Sequence, residues 1–110
     1  MNITVDVNEL NTEFNVKLKG EIDAYTAPKL RESLFPISEQ ENVSITIDLT
    51  EVSYMDSTGL GVFVGAFKSV RAHNGEFTLV GLSERLRRLF DITGLADIID
   101  IKSGTEGGLE

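Results

Sequence analysis

Two hydrophobic periods meet near the middle of this chain, and their junction limits the folds open to it more than any other feature. Val43-Ser44-Ile45-Thr46-Ile47-Asp48-Leu49 alternates apolar and polar residues as a half-buried strand does, whereas Leu60, Phe63, Val64, Phe67 and Val70 recur at helical spacing. Asp56-Ser57-Thr58 therefore sits where a strand hands over to a helix running from about Ser57 to Ala72. All three are preferred N-cap residues, because a side-chain oxygen can accept from first-turn N–H groups that have no other partner. A helix N-terminus also carries the positive end of the macrodipole, so a hydroxyl there is a place where an added phosphate is tolerated. The two readings are compatible, since a capping hydroxyl can also be a modified one.

Around this junction the chain reads as strand, strand, helix, strand, helix, strand, helix, with a short final strand. Ile3 to Val7 and Phe14 to Lys19 alternate on either side of the turn-rich Asn8 to Thr12, which predicts an antiparallel pair. Opening with two strands sets the chain apart from folds that begin strand, helix, strand. Thr26 is placed to cap a first helix with Pro28 in its first turn and Leu30, Leu34 and Ile37 as its buried stripe. Pro36 removes the donor for Glu32, which predicts a kink or an end near Phe35. In the central helix Gly61, Gly65 and Ser69 form a second stripe, expected to pack closely on the sheet. His73-Asn74-Gly75 marks the C-terminal end of that helix.

Glu76 to Val80 is a fourth strand. Ser83 caps a short helix that buries Leu86, Leu89 and Phe90 and ends at Gly94, and Ala96 to Ile101 supplies the last strand. Arg85, Arg87 and Arg88 on the outer face form either an anion or partner site or a self-paired face, through Glu84 with Arg88 and Arg87 with Asp91. Residues 103–110 read as a flexible C-terminal tail, leaving residues 1–102 as one domain.

Charge and composition then exclude several classes of function. A net charge of −8 argues against nucleic acid as the main partner; acidity either serves solubility or favours a basic patch on another protein. No cysteine is present, so neither a disulfide framework nor a thiolate metal site can form, as suits a cytoplasmic protein. The apolar runs are too short to span a bilayer, and the first residues lack the pattern of a signal peptide, so no membrane association is expected. With 41% hydrophobic residues, 110 residues suffice for a single core.

Met55-Asp56-Ser57-Thr58-Gly59-Leu60-Gly61 resembles the signature of the STAS-domain anti-sigma factor antagonists, and Gly20-Glu21-Ile22-Asp23 and Arg88-Leu89-Phe90-Asp91-Ile92-Thr93-Gly94-Leu95 match in order. The resemblance is to the general-stress type found in Gram-positive bacteria. It implies an α/β STAS fold, a single domain with a mixed β-sheet and helices packed against it. It also implies partner switching. The unphosphorylated protein would bind an anti-sigma factor that is a serine kinase, and so release a sigma factor for stress-response transcription. Phosphorylation at Ser57 would end that binding, and a serine phosphatase would restore it. Ser57 is then the phosphoacceptor, a substrate position and not a catalytic one, and Asp23, Asp56, Ser57, Thr58 and Gly59 are the partner-binding residues. For Asp23 this role comes from the resemblance alone; by its position it is a turn residue before a helix.

Other readings compete. Asp23, Asp48 and Asp56 could form a carboxylate cluster for Mg²⁺ and phosphate chemistry, but the chain has no phosphate-binding Gly-Lys-Ser/Thr loop. A receiver-type domain phosphorylated on Asp56 would open strand, helix, strand, unlike this chain. A plain interaction module would use Ser57 only as a cap. No catalytic residue, metal or cofactor is therefore expected, although nucleotide binding is not excluded.

Overall fold

The computed structural model describes residues 2–102; the expected tail, 103–110, lies outside them. The elements run β1 (Ile3–Leu10), β2 (Glu13–Ile22), α1 (Ala27–Ser38), β3 (Ser44–Met55), α2 (Ser57–Ala72), β4 (Glu76–Val80), α3 (Glu84–Ile92), a 3-10 turn (Leu95–Asp97) and β5 (Asp100–Lys102). They build a five-stranded sheet in the order β1-β2-β3-β4-β5, with β1 antiparallel to β2 and every later pair parallel. Strand order follows chain order, and crossovers between parallel strands are right-handed, so the three helices fall on one face. Burial follows the same division. Phe14, Val16, Leu18, Ile45, Ile47, Leu49, Phe77 and Leu79 are buried, while Asn15, Lys17 and Lys19 between them are exposed on the open polar face.

The helices close the core from above. Phe63 of α2 meets Phe90 of α3 edge-on with ring centroids 6.4 Å apart, and Phe67 meets Phe77 of β4 in the same way at 6.3 Å. Leu60, Phe63, Phe67 and Val70 of α2 are buried as their spacing predicts, but Val64 is only half-buried, and Val62 and Ala66 join the core.

Several expectations are corrected. The turn-rich stretch is mostly strand: β1 and β2 continue to Leu10 and from Glu13, leaving a two-residue loop in which Asn11 takes the left-handed conformation its side chain tolerates. Pro36 does not end α1, which runs on to Ser38. Its last residues are held from outside the helix, by burial of Ile37 and by Ser69 Oγ of α2 donating to Ser38 O at 3.1 Å. Gly65 and Ser69 face α1 and not the sheet; a Cβ at Gly65 would come within 2.9 Å of Phe35 Cζ, whereas Gly61 meets nothing within 4 Å. The expected last strand shrinks to Asp100–Lys102. Ala96 and Asp97 belong instead to the 3-10 turn, whose Leu95 O accepts from the N–H groups of Ile98 and Ile99. The Arg87–Asp91 pair forms at 3.6 Å, but no Glu84–Arg88 ion pair is present among the described residues.

β3 is much longer than its alternating segment. Beyond Asp48 it has no β4 partner and runs on beside β2 alone, from Lys19↔Glu51 to Ile22↔Met55, with two register shifts. This two-stranded extension carries the strand-to-helix junction to one end of the sheet.

Candidate functional site

Asp56 leaves β3 with an extended backbone, and its Oδ1 accepts from the N–H groups of Thr58 at 2.9 Å and Gly59 at 3.2 Å. The cap of α2 is thus Asp56, not either hydroxyl. Ser57, the first helical residue, is exposed, and its hydroxyl has no hydrogen-bond partner among the described residues; Thr58 is exposed beside it. Gly59 is buried for a steric reason: a Cβ there would stand 2.5 Å from Ile22 Cγ2 and 3.0 Å from Met55 Cγ. Only glycine lets the first turn of α2 lie this close to the ends of β2 and β3.

The loop from β2 into α1 is fastened to the same place. Asp56 N–H donates to Ile22 O at 3.2 Å. Next to Ile22, the Asp23 carboxylate is buried, its Oδ1 accepting from Tyr25 N–H at 2.9 Å and Thr26 N–H at 3.0 Å. Thr26 holds the N-cap position of α1 without a capping side-chain bond into the helix. Its hydroxyl serves the loop, accepting from Asp23 N–H at 2.9 Å and donating to Glu21 O at 2.8 Å. All five residues expected to meet a partner therefore lie at one end of the sheet, Ser57 and Thr58 exposed, Asp56 half-buried, and Asp23 and Gly59 inside.

Asp48 does not join them. It sits on the open face of the sheet, where its Oδ1 accepts from Thr50 N–H and Oγ1 at 2.9 and 2.6 Å. Among the described residues no group of three or more His, Asp or Glu side chains is arranged to hold a metal. No helix among them is long and apolar enough to cross a membrane. A cavity of 420 Å³ beside α3, lined by Ser83, Arg87, Arg88 and Lys102 among others, shares no residue with the Ser57 surface.

Residues 3–107 match the model of the STAS domain. The chain belongs to the STAS-domain family of anti-sigma factor antagonists. It is 57% identical to the anti-sigma-B factor antagonist of Bacillus subtilis over 110 residues, the whole of both chains. With that of Listeria monocytogenes it shares 59% identity over 104 residues, 94% of this chain and 91% of the other. Among solved structures, an anti-sigma factor antagonist from Mycobacterium paratuberculosis superposes with a TM-score of 0.85 at 26% identity, covering 98% of this chain and 92% of that one. The single α/β domain with its mixed sheet is thus the fold that the family signature implies.

Two residues of this STAS surface escape a reading by periodicity. Tyr25 and Tyr54 are both exposed. Alternation from Ile45, Ile47 and Leu49 would bury Glu51 and Ser53, but register shifts between Lys17 and Lys19 and between Gly20 and Glu21 break the period, so that Val52 is buried and Tyr54 stays exposed. Tyr25 lies in a loop, where no period applies.

Proposed function

We propose that this STAS domain is an anti-sigma factor antagonist that works by partner switching through a phosphoester at Ser57. Unphosphorylated, it binds an anti-sigma factor that is a serine kinase, using the surface built by the Asp23 loop and by Asp56, Ser57, Thr58 and Gly59. A sigma factor is thereby freed for stress-response transcription in the cytoplasm. The kinase then phosphorylates Ser57 and binding ends; a serine phosphatase restores it. The likeness to anti-sigma-B factor antagonists supports the antagonist role, and the observation that carries the switch is the exposed Ser57 hydroxyl, without a hydrogen-bond partner among the described residues, beside a cap that is already occupied.

That geometry decides where the new charge acts. A phosphate adds about −1.5 to −2 charges at neutral pH. The Asp56 carboxylate already takes the Thr58 and Gly59 N–H groups, so the phosphate cannot be satisfied by them without displacing it. The charge therefore projects outward, reinforced by Asp56. Against a docked partner it must be paired or desolvated, and an unpaired buried charge costs several kcal/mol, about 1.4 kcal/mol being a tenfold loss of affinity. No refolding of the domain is needed. The domain itself has no catalytic turnover, and Ser57 is the substrate of another protein.

Incubation with the anti-sigma factor and ATP tests the chemistry. Label should map to Ser57, survive hydroxylamine as a phosphoserine does, and be absent from Ser57→Ala. Loss of label in hydroxylamine would point to an acyl phosphate on Asp56, and label on Thr58 would move the acceptor by one residue; either result contradicts the reading.

A further inference from the structure

The loop between β2 and α1 turns its carboxylate inward and its aromatic ring outward. Asp23 is 6% exposed and Tyr25 86%. Because Asp23 Oδ1 accepts from the N–H groups of Tyr25 and Thr26, the backbone that carries the ring is set by the buried carboxylate. Tyr54, 43% exposed, lies on the extension of β3 beyond β4, opposite Glu21 of β2. Asp56 N–H donating to Ile22 O joins the two segments, and Ser57 comes next in the chain. Six large hydrophobic side chains are exposed among the described residues; these two are the only aromatic ones, and both stand at the Ser57 end of the sheet.

Single exposed apolar residues are common, but an aromatic pair around one site is what protein interfaces use as anchors, since a tyrosine offers a large rigid face with little rotamer entropy to lose. We propose that Tyr25 and Tyr54 anchor the anti-sigma factor that reads Ser57, and that Asp23 acts as a positioning residue by holding Tyr25 in place. This rests on the partner-switching reading. The surroundings fix the chemistry of the partner's surface. Glu21 and Asp56 accompany the rings on a chain of net charge −8, so the complementary surface pairs apolar pockets with arginine or lysine side chains, which neutralise the carboxylates and stack on the rings.

Calorimetric titration of the anti-sigma factor with variants of the full chain tests this. Tyr25→Ala and Tyr54→Ala should each weaken binding about tenfold or more while leaving the thermal midpoint unchanged, because both rings are exposed. Asp23→Ala should weaken binding too. Asp23→Asn, whose amide oxygen can accept the same two N–H groups, should restore it to within about threefold of the parent, since a positioning role needs the acceptor and not the charge. Parent-like binding by both tyrosine variants would overturn the proposal, and equal losses in Asp23→Asn and Asp23→Ala would make the carboxylate itself the contact. Sedimentation velocity on the free protein separates a further occupant: tyrosine variants that abolish self-association yet bind the anti-sigma factor normally would assign the patch to a second copy of this chain. Ser57→Asp in the same series distinguishes the two levels. If it loses binding while the tyrosine variants keep it, only the anchors are wrong; if it binds like the parent, the switch itself is wrong.

Discussion

Around Ser57, neighbouring residues of similar chemistry have different tasks, and substitutions should separate them. Asp56 carries the cap through Thr58 and Gly59 N–H, so Asp56→Ala should cost about 0.5–2 kcal/mol in chemical or thermal denaturation. Ser57→Ala should change stability by less than about 0.5 kcal/mol, because the exposed hydroxyl makes no hydrogen bond among the described residues. Equal losses in both would mean that Ser57 shares the cap. The glycines separate in the same way. Gly59→Ala drives a methyl group against Ile22 and Met55 and should destabilise by about 1–3 kcal/mol. Gly61→Ala, exposed in the same helix with open space around it, should stabilise by about 0.5–1 kcal/mol through helix propensity. Denaturation of the pair checks both signs at once.

Among the elements, the extension of β2 and β3 supports the site, and its ion pairs give it a pH dependence. Glu51 on β3 lies 3.2 Å from Lys17 Nζ and 3.5 Å from Lys19 Nζ on β2. The hydrogen bond and charge of Lys17, helped by Lys19, hold its carboxyl below the ordinary glutamate value. A depressed folded-state value means that this contribution is fully present above the ordinary glutamate pKa and is lost as pH falls through the lowered one. The group is exposed, so the effect on stability is small. An NMR titration should find Glu51 titrating below the ordinary glutamate value and rising toward it in Lys17→Met. The elements also show what the residues alone reveal. The handover at Asp56 and the extent of α2 were legible because two periods meet there. The cap was not, since three cap-forming residues in a row differ only in backbone conformation, which the structure decides for Asp56. That α1 runs on past Pro36 was not legible, because Ile37 burial and the Ser69 bond to Ser38 lie outside any local rule. Of the site, the Ser57 motif was readable from the chain, whereas the inward carboxylate of Asp23 and the outward ring of Tyr25 depend on a loop whose shape only its hydrogen bonds fix.

Over the whole molecule, the proposed switch is a change of surface that needs no change of fold. The Ser57 end is built from the ends of β2 and β3 and the start of α2, all rooted in one buried core, so in the proposed switch an added phosphate would change what a partner meets and leave the packing beneath intact. If the proposed partner presents a basic surface, the net charge of −8 would speed encounter and leave most of the discrimination to close contacts. Far-ultraviolet circular dichroism and thermal melts of the two forms should then nearly coincide while their affinities diverge. The direct test is calorimetric titration of the anti-sigma factor with protein quantitatively phosphorylated at Ser57 beside the unmodified protein. Binding by the unmodified form and an affinity about a hundredfold or more weaker for the phosphorylated form is the expected result; equal affinities for the two would contradict it.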